Sequence, residues 1–167
     1  MRVAKLAREL AIIHNANPAR AEIAALLHDC ARFMDRAKLL ARARELKLKI
    51  LPSETKEPKL LHGRLGKIIA QKELGINDRE ILSAIENHTL GRPRMSTLEK
   101  IIFLADHAEV GRRYPEATSL RKLAKVNLNQ ALALSTACTL KYLKARGAPI
   151  DGRTKKTYRF YSKFLKG

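Results

Sequence analysis

Apolar residues recur every three or four positions along most of the chain, which predicts a succession of amphipathic helices. The first stretch is typical, because Val3, Leu6 and Leu10 would share one face of a helix over Arg2–Ile13. The sequence contains neither an internal repeat nor the strict apolar and polar alternation of strands. The pattern therefore predicts an all-α fold, a compact single-domain bundle of six to eight helices.

Capping residues mark where several of these helices should begin. The predicted caps are Asn17, Asp35, Asp78 and Ser96. Glu99 follows Ser96 in the capping-box spacing and opens the most apolar run of the chain. Two prolines predict a loop over 51–58, and residues 117–144 predict one long helix or two joined ones. Thr154 is the predicted cap of a short basic terminal helix.

Five polar residues stand where an apolar helix has no packing use for them. His28 and Asp29 lie side by side after an apolar helical run, and His62, His88 and Asp106 each adjoin a later one. A buried imidazole or carboxylate loses hydration and must be compensated. Each residue alone is explained by a satisfied core histidine or a cap. Together the five predict a metal site built from several helices.

The ligand types restrict the chemistry of that site. Histidine and aspartate without thiolate favour a hard or borderline divalent ion such as iron, manganese, zinc or magnesium. Five ligands suit two ions that share a carboxylate, an arrangement that supports in-line phosphoryl displacement. Arg92 and Arg112 lie in loops after two of the ligand candidates, where guanidinium groups suit phosphate oxygens and ordinary solvation is the alternative. The residues thus indicate phosphoester or phosphoanhydride hydrolysis.

Charge and composition narrow the partners. The net charge is +18, and residues 111–167 contain fourteen Lys or Arg against Glu116 and Asp151 alone. Such a field favours polyanionic partners, although a solvated basic surface explains it equally well. No run is long enough to span a bilayer and no signal-peptide core is present, so we expect a cytoplasmic protein without membrane contact.

Four stretches in this order resemble the YqeK-type symmetrical diadenosine tetraphosphate hydrolases, which are HD-domain metal-dependent phosphohydrolases. The stretches are Ala21–Asp29, Leu60–Gly63, Asn87–Pro93 and Glu99–Asp106. The resemblance runs from Arg2 to about Pro149. It implies an HD phosphohydrolase domain over 1–150 and a basic C-terminal helix or tail over 151–167 that packs on the same domain.

The resemblance also implies a ligand set. His28, Asp29 and Asp106 would hold one iron ion, His62 and His88 would hold the second, and Asp29 would bridge. A bridging hydroxide would attack phosphorus and release two ADP.

Catalytic and substrate-binding roles follow from the same resemblance. The catalytic residues would be Asp29, His62 and Arg92. Arg92 and Arg112 would bind the phosphates, and Thr89 and Lys67 are weaker candidates for substrate contact.

The chain departs from the family pattern in two places. The family has a further ligand histidine, followed by two residues and a motif like Arg2–Ala4, which would fall ahead of Met1. We therefore expect either a start further upstream or a first ion with one ligand fewer, which would weaken activity. His107 stands where the family usually has an aromatic residue, as an extra ligand or an exposed side chain; we favour the exposed one.

Two other functions remain open at this stage. One is an HD-type phosphohydrolase that acts on other nucleotides. The other is a catalytically weakened HD module that binds RNA through its basic C-terminal third. The identity of the metal and a homodimer are also left open.

Overall fold

The computed structural model describes residues 2–165, and within that range the chain is helical and contains no strand. The ten α-helices are α1 Arg2–Ile13, α2 Pro18–Leu27, α3 Arg36–Glu45, α4 Pro52–Lys56, α5 His62–Lys72, α6 Arg79–Asn87, α7 Thr97–Ala108, α8 Ala117–Val126, α9 Leu128–Ala145 and α10 Gly152–Tyr161. Two 3-10 turns cover Pro58–Leu61 and Ser162–Leu165. The predicted all-α class is confirmed. The count exceeds six to eight because α4 forms inside the predicted loop and the run over 117–144 breaks at Asn127.

Local caps set most of the helix starts. The side chains of Asn17, Asp35, Asp78 and Ser96 accept hydrogen bonds from backbone N–H groups of the first helical turn, as predicted. The predicted cap Thr154 is wrong. Asp151 caps α10 by accepting from the backbone N–H of Arg153, and Thr154 lies buried within the first turn.

Helix α7 forms the centre of the core. Its residues Ile101–Asp106 are buried without a break, and the helix packs against α1, α2, α6, α8 and α9. A helix that is surrounded on all sides is apolar all round, which explains the unusually apolar run in the sequence. Asp106 is therefore carried into the interior near the end of α7.

Helices α5 and α6 approach each other closely at Gly63. A Cβ atom at this glycine would lie 2.8 Å from the backbone oxygen of Glu86, so a side chain would force the two helices apart. A smaller core packs α3 against the 3-10 turn Pro58–Leu61 and against α5 through Leu39, Leu61 and Leu65. These contacts bring the start of α5 to the end of α6.

The C-terminal helix packs on α9 and on the loop that follows α6. Thr157 Oγ1 donates to the backbone oxygen of Leu90 at 3.0 Å, and the buried Tyr161 hydroxyl accepts from the backbone N–H of Met95 at 2.9 Å. The domain boundary at 150 stays a prediction, and positions 166 and 167 lie outside the described residues. No helix within 2–165 is long and apolar enough to cross a membrane.

Candidate metal centre

The five predicted ligands come from the ends of four helices and converge. His28 is the C-cap of α2 and is followed by Asp29, His62 opens α5, His88 is the C-cap of α6, and Asp106 lies in the last turn of α7. Two overlapping groups have ligand atoms within 4.8 Å of one another: His28, His88 and Asp106, and Asp29, His62 and His88. The fold thus assembles residues that are as much as 78 positions apart in sequence.

Asp29 lies between the two groups. Its Oδ1 is 3.3 Å from His62 Nε2 and 3.4 Å from His88 Nε2, whereas its Oδ2 is 3.5 Å from His28 Nε2. Asp106 Oδ1 is 3.7 Å from the same nitrogen of His28. Asp29 therefore offers one oxygen to each side, as a bridging carboxylate does.

The backbone fixes the tautomer of all three histidines. Each Nδ1 lies against the carbonyl oxygen three residues earlier, at 2.7 Å for His28, 2.5 Å for His62 and 2.7 Å for His88. A carbonyl only accepts, so Nδ1 carries the hydrogen and the Nε2 lone pair of each neutral ring points into the cluster. This is the tautomer that binds a metal through Nε2, with the other nitrogen held by an outer hydrogen bond.

The distance between two of these nitrogens tests whether the site fits a cation. His62 Nε2 and His88 Nε2 are 2.9 Å apart, and Thr89 Oγ1 is 3.0 Å from each. Two neutral Nε2 lone pairs this close repel each other unless a proton or a cation lies between them. Two ligands at right angles around an ion about 2.1 Å away would be about 3.0 Å apart. The donor set therefore fits a divalent metal.

Protonation in the cluster favours metal binding. Burial would raise the pKa of Asp29, but polar contacts with His62 and His88 outweigh it and hold that pKa well below its usual range. Burial would also raise the pKa of Asp106, but the contact with His28 lowers it, and the net effect is a pKa below the usual range. Burial lowers the pKa of His88. Ionised carboxylates and a neutral imidazole are the forms that ligate.

The pKa of His28 is raised, in contrast to that of His88. Burial alone would lower it, but the polar contact with Asp106 and the charge of Asp29 raise it above the ordinary histidine value. The same two carboxylates that attract a proton to this ring would attract a cation to the space beside it.

Two arginines hold the two aspartates that are predicted ligands. Arg112 donates from Nε to the backbone oxygen of Asp106 at 2.7 Å and from Nη2 to its Oδ1 at 2.6 Å. Arg32 Nη1 donates to Asp29 Oδ2 at 3.1 Å. Both guanidinium groups line a cavity of about 220 Å³ together with Thr89, Asp106, His107 and Tyr114. Arg32 was not predicted from the sequence, although a basic residue three positions after Asp29 is a signal that could have identified it.

The other two predicted substrate residues are held away from the ligand atoms. Arg92 donates from Nε and Nη2 to the two carboxylate oxygens of Glu99 at 2.7 and 2.6 Å, and Glu99 is only 1% exposed. Lys67 Nζ pairs with Glu86 at 2.6 Å. In the part of the chain that the structure describes, neither cation contacts a predicted ligand. Their assignment to substrate stays a prediction.

His107 is not an exposed side chain, so that expectation is wrong. Its ring stacks on Phe103 with centroids 4.4 Å apart, and its Nδ1 donates to the backbone oxygen of Phe103 at 2.8 Å. Burial lowers its pKa, and the ring belongs to neither ligand group. His107 instead forms part of the cavity wall beside Arg112.

Comparisons with known proteins identify the family of the chain. A family model of the HD domain matches residues 1–111. A relative from Halalkalibacterium halodurans, named symmetrical bis(5'-nucleosyl)-tetraphosphatase, is 40% identical over 156 residues, which cover 93% of this chain and 83% of the relative. A relative of the same name from Bacillus subtilis is 38% identical over 161 residues, with the same two coverages.

A solved structure extends the match to three dimensions. The crystal structure of a predicted HD superfamily hydrolase involved in NAD metabolism, from Clostridium acetobutylicum, superposes with a TM-score of 0.93 at 37% identity and covers 97% of this chain and 86% of that one. The sequence matches and the structural match identify the same family. This chain belongs to the HD-domain family and, within it, to the family of the symmetrical bis(5'-nucleosyl)-tetraphosphatases.

Proposed function

We propose that this protein is a metal-dependent hydrolase that cleaves diadenosine tetraphosphate symmetrically into two ADP. The observation that carries the proposal is the convergence of three Nε2 atoms and two carboxylates beside an arginine-lined cavity. The names of the relatives from Halalkalibacterium halodurans and Bacillus subtilis support this substrate. An arginine-lined cavity beside a cation site suits a substrate whose reacting part is a chain of phosphates.

We assign the ligands to two ions. His28, Asp29 and Asp106 would hold the first, and His62 and His88 the second, with Asp29 shared because its two oxygens face opposite groups. Iron is the metal that we propose, since imidazole and carboxylate ligands without thiolate accept it. When bound, such ions supply an activated water and neutralise the charge that develops on phosphorus.

The remaining chemistry belongs to side chains of the cavity. Arg112 and Arg32 keep Asp106 and Asp29 in place, and their other N–H groups are available to phosphate oxygens from the cavity side. Thr89 Oγ1 is within 3.0 Å of two ligand nitrogens and so lies next to the reacting atoms. These groups would position the phosphate chain and balance its charge.

Arg92 needs a separate role in this scheme. Because Glu99 already binds two of its nitrogens, Arg92 would have to leave a buried carboxylate before it could hold a phosphate in the same way. We expect it to act mainly by fixing the loop over 89–94, which follows His88. The same reasoning applies to Lys67, whose ammonium group is held by Glu86.

Product analysis tests the proposal. The purified chain, loaded in turn with iron, manganese, zinc or magnesium, is incubated with diadenosine tetraphosphate, diadenosine triphosphate and nucleoside triphosphates, and the products are separated by anion-exchange chromatography. We expect ADP alone from the tetraphosphate. Release of ATP with AMP, or faster turnover of another nucleotide, would overturn the symmetrical assignment.

Two matched histidine variants separate the site from general effects. His62→Gln should abolish ADP release. His14→Gln should not, because within residues 2–165 the one side-chain hydrogen bond of His14 joins Nε2 to the backbone oxygen of Ala124, at 2.7 Å, and an amide can replace it there. Equal activity of the two variants would show that the histidine cluster is not the active site.

A further inference from the structure

A second cavity lies on another side of Thr89 and also contains two arginines. Its volume is about 100 Å³, and its lining includes Gly63, Arg64, Glu86, Thr89, Gly91 and Arg153. Thr89 is common to this cavity and to the one that contains Arg32 and Arg112. The two cavities therefore flank the residue whose hydroxyl is nearest to the ligand nitrogens of His62 and His88.

The two arginines of the second cavity are held by a buried carboxylate. Glu54 is 0% exposed and accepts from Arg64 Nη1 at 2.8 Å and from Arg153 Nη2 at 3.0 Å. Asp151, which is 6% exposed, accepts from Arg153 Nε at 3.0 Å. The guanidinium groups come from helices α5 and α10, which the chain brings together only in the folded state.

This arrangement leaves part of each guanidinium group without a hydrogen-bond partner. Arg64 uses Nη1 alone, for Glu54 and the backbone oxygen of Lys49. Arg153 uses Nε and Nη2. Within residues 2–165, Arg64 Nε and Nη2 and Arg153 Nη1 have no hydrogen-bond acceptor. Carboxylates thus fix each guanidinium, and Arg64 retains Nε and Nη2 and Arg153 retains Nη1 for a ligand, whereas all three nitrogens of Arg92 already have acceptors.

We propose that Arg64 and Arg153 form a second anion subsite, which binds a phosphate of the substrate in the cavity that shares Thr89 with the cavity of Arg112. The inference rests on the proposed function. Symmetrical cleavage places two phosphates on each side of the broken bond, so an enzyme of this kind needs cationic groups on both flanks of the reacting phosphorus. The cavity volume corresponds to about three water molecules, which suits a phosphoryl group and excludes a nucleoside.

The test compares two substitutions that each leave Glu54 one guanidinium. Arg64→Gln and Arg153→Gln are assayed with diadenosine tetraphosphate beside Lys155→Gln, a matched control on α10 whose exposed side chain has no ion pair within 2–165. We expect KM to rise about tenfold in both arginine variants, while kcat changes less than about twofold and metal content per chain does not change. The control should match wild type.

A binding measurement provides a readout that a purely structural role would not move. ADP should raise the melting temperature of the metal-loaded wild type and of Lys155→Gln, and should raise that of the arginine variants much less. Unchanged KM and an unchanged ADP-dependent shift would overturn the subsite. So would a loss of metal content together with kcat, because the arginines would then serve only the fold.

The two proposals fail in different ways. If wild type releases no ADP from diadenosine tetraphosphate, the proposed function fails, and the subsite is judged by the ADP-dependent shift alone. If wild type is active and the arginine variants match it in KM, only the subsite fails.

Discussion

At the level of single residues, the candidate site is built from side chains that each use two polar atoms for different contacts. Each candidate histidine is anchored through Nδ1 and presents Nε2 to the cluster, and Asp29 presents one oxygen to each candidate ligand group. The sequence predicted these residues as ligands because an imidazole or carboxylate beside an apolar helix loses hydration and does not contribute to packing. The sequence did not predict that Arg92 pairs with Glu99. This pairing depends on the geometry of the turn between them, which the residue types do not specify.

Asp29→Asn should remove metal and activity together. The amide keeps the size of the side chain but loses the charge, and its NH₂ would face either His28 or the pair His62 and His88. We expect the metal content per chain to fall by at least half and ADP release to fall by more than about a hundredfold. Elemental analysis and the product assay measure both.

Asp35→Asn is the matched control for this variant. The substitution removes the same charge from an exposed N-cap, where asparagine caps equally well. Full metal content in Asp29→Asn would contradict the bridging role.

Glu99→Ala should destabilise the fold. The buried carboxylate accepts from Ser83 Oγ at 2.8 Å, Asn87 Nδ2 at 2.9 Å and the backbone N–H of Ser96 at 2.7 Å, in addition to Arg92. Its removal leaves these donors unpaired, so we expect a loss of about 2–3 kcal/mol in the free energy of unfolding, less than for a fully buried pair because the Arg92 side chain is 44% exposed. Urea denaturation measures it.

An exposed glutamate gives the comparison. Glu80 pairs with Arg20 at 2.9 Å on the surface, so Glu80→Ala should cost no more than about 1 kcal/mol. Similar losses in the two variants would show that the Glu99 network adds little.

At the scale of helices, local signals predicted starts well and associations poorly. The caps at Asn17, Asp35 and Asp78 act within one turn, so the sequence alone identifies them. Helix α4 was missed because prolines and polar residues in 51–58 match a loop equally well. The close approach at Gly63 is a tertiary contact, and only the structure shows that it joins the ligand ends of α5 and α6.

Gly91→Ala should weaken the docking of α10 on the loop after His88. Gly91 has φ of +65°, and a Cβ there would lie 2.7 Å from Thr157 Cγ2. We expect a loss of about 2–4 kcal/mol in unfolding free energy, the sum of backbone strain and the clash. Thermal denaturation of metal-free protein isolates this effect from ligand binding.

Gly147→Ala separates the two terms. Gly147 has φ of +60° but nothing within 4 Å of the added Cβ, so only the backbone strain of about 1–2 kcal/mol applies. Equal losses at the two glycines would mean that Thr157 moves aside and that α10 is not clamped there.

At the scale of the whole molecule, the sequence predicted the class and the family, and the comparisons confirm both. The resemblance lay in four short stretches, and the fold places all of them around one centre. The second pair of arginines was invisible in the sequence, because Arg64 and Arg153 are 89 positions apart and meet only through the buried Glu54. Pairing at this distance needs a folded chain.

The net charge of +18 should speed the capture of a polyanionic substrate. Raising the salt from about 0.05 to 0.5 M shortens the screening length several-fold. We therefore expect KM for diadenosine tetraphosphate to rise about three- to tenfold, with kcat within about twofold, because buried contacts at the site are screened less. A KM that does not respond to salt, compared with a neutral solute of equal osmolality, would contradict this field effect.

Removal and restoration of metal on wild-type protein tests most directly whether hydrolysis depends on the metal that the chain binds. Metal per chain and ADP released from diadenosine tetraphosphate are measured before chelation, after chelation, and after iron is added back. We expect about two ions per chain, loss of both ions and of ADP release together on chelation, and joint recovery when iron is restored. Undiminished ADP release from the chelated protein, or full metal loading without ADP release, would contradict it.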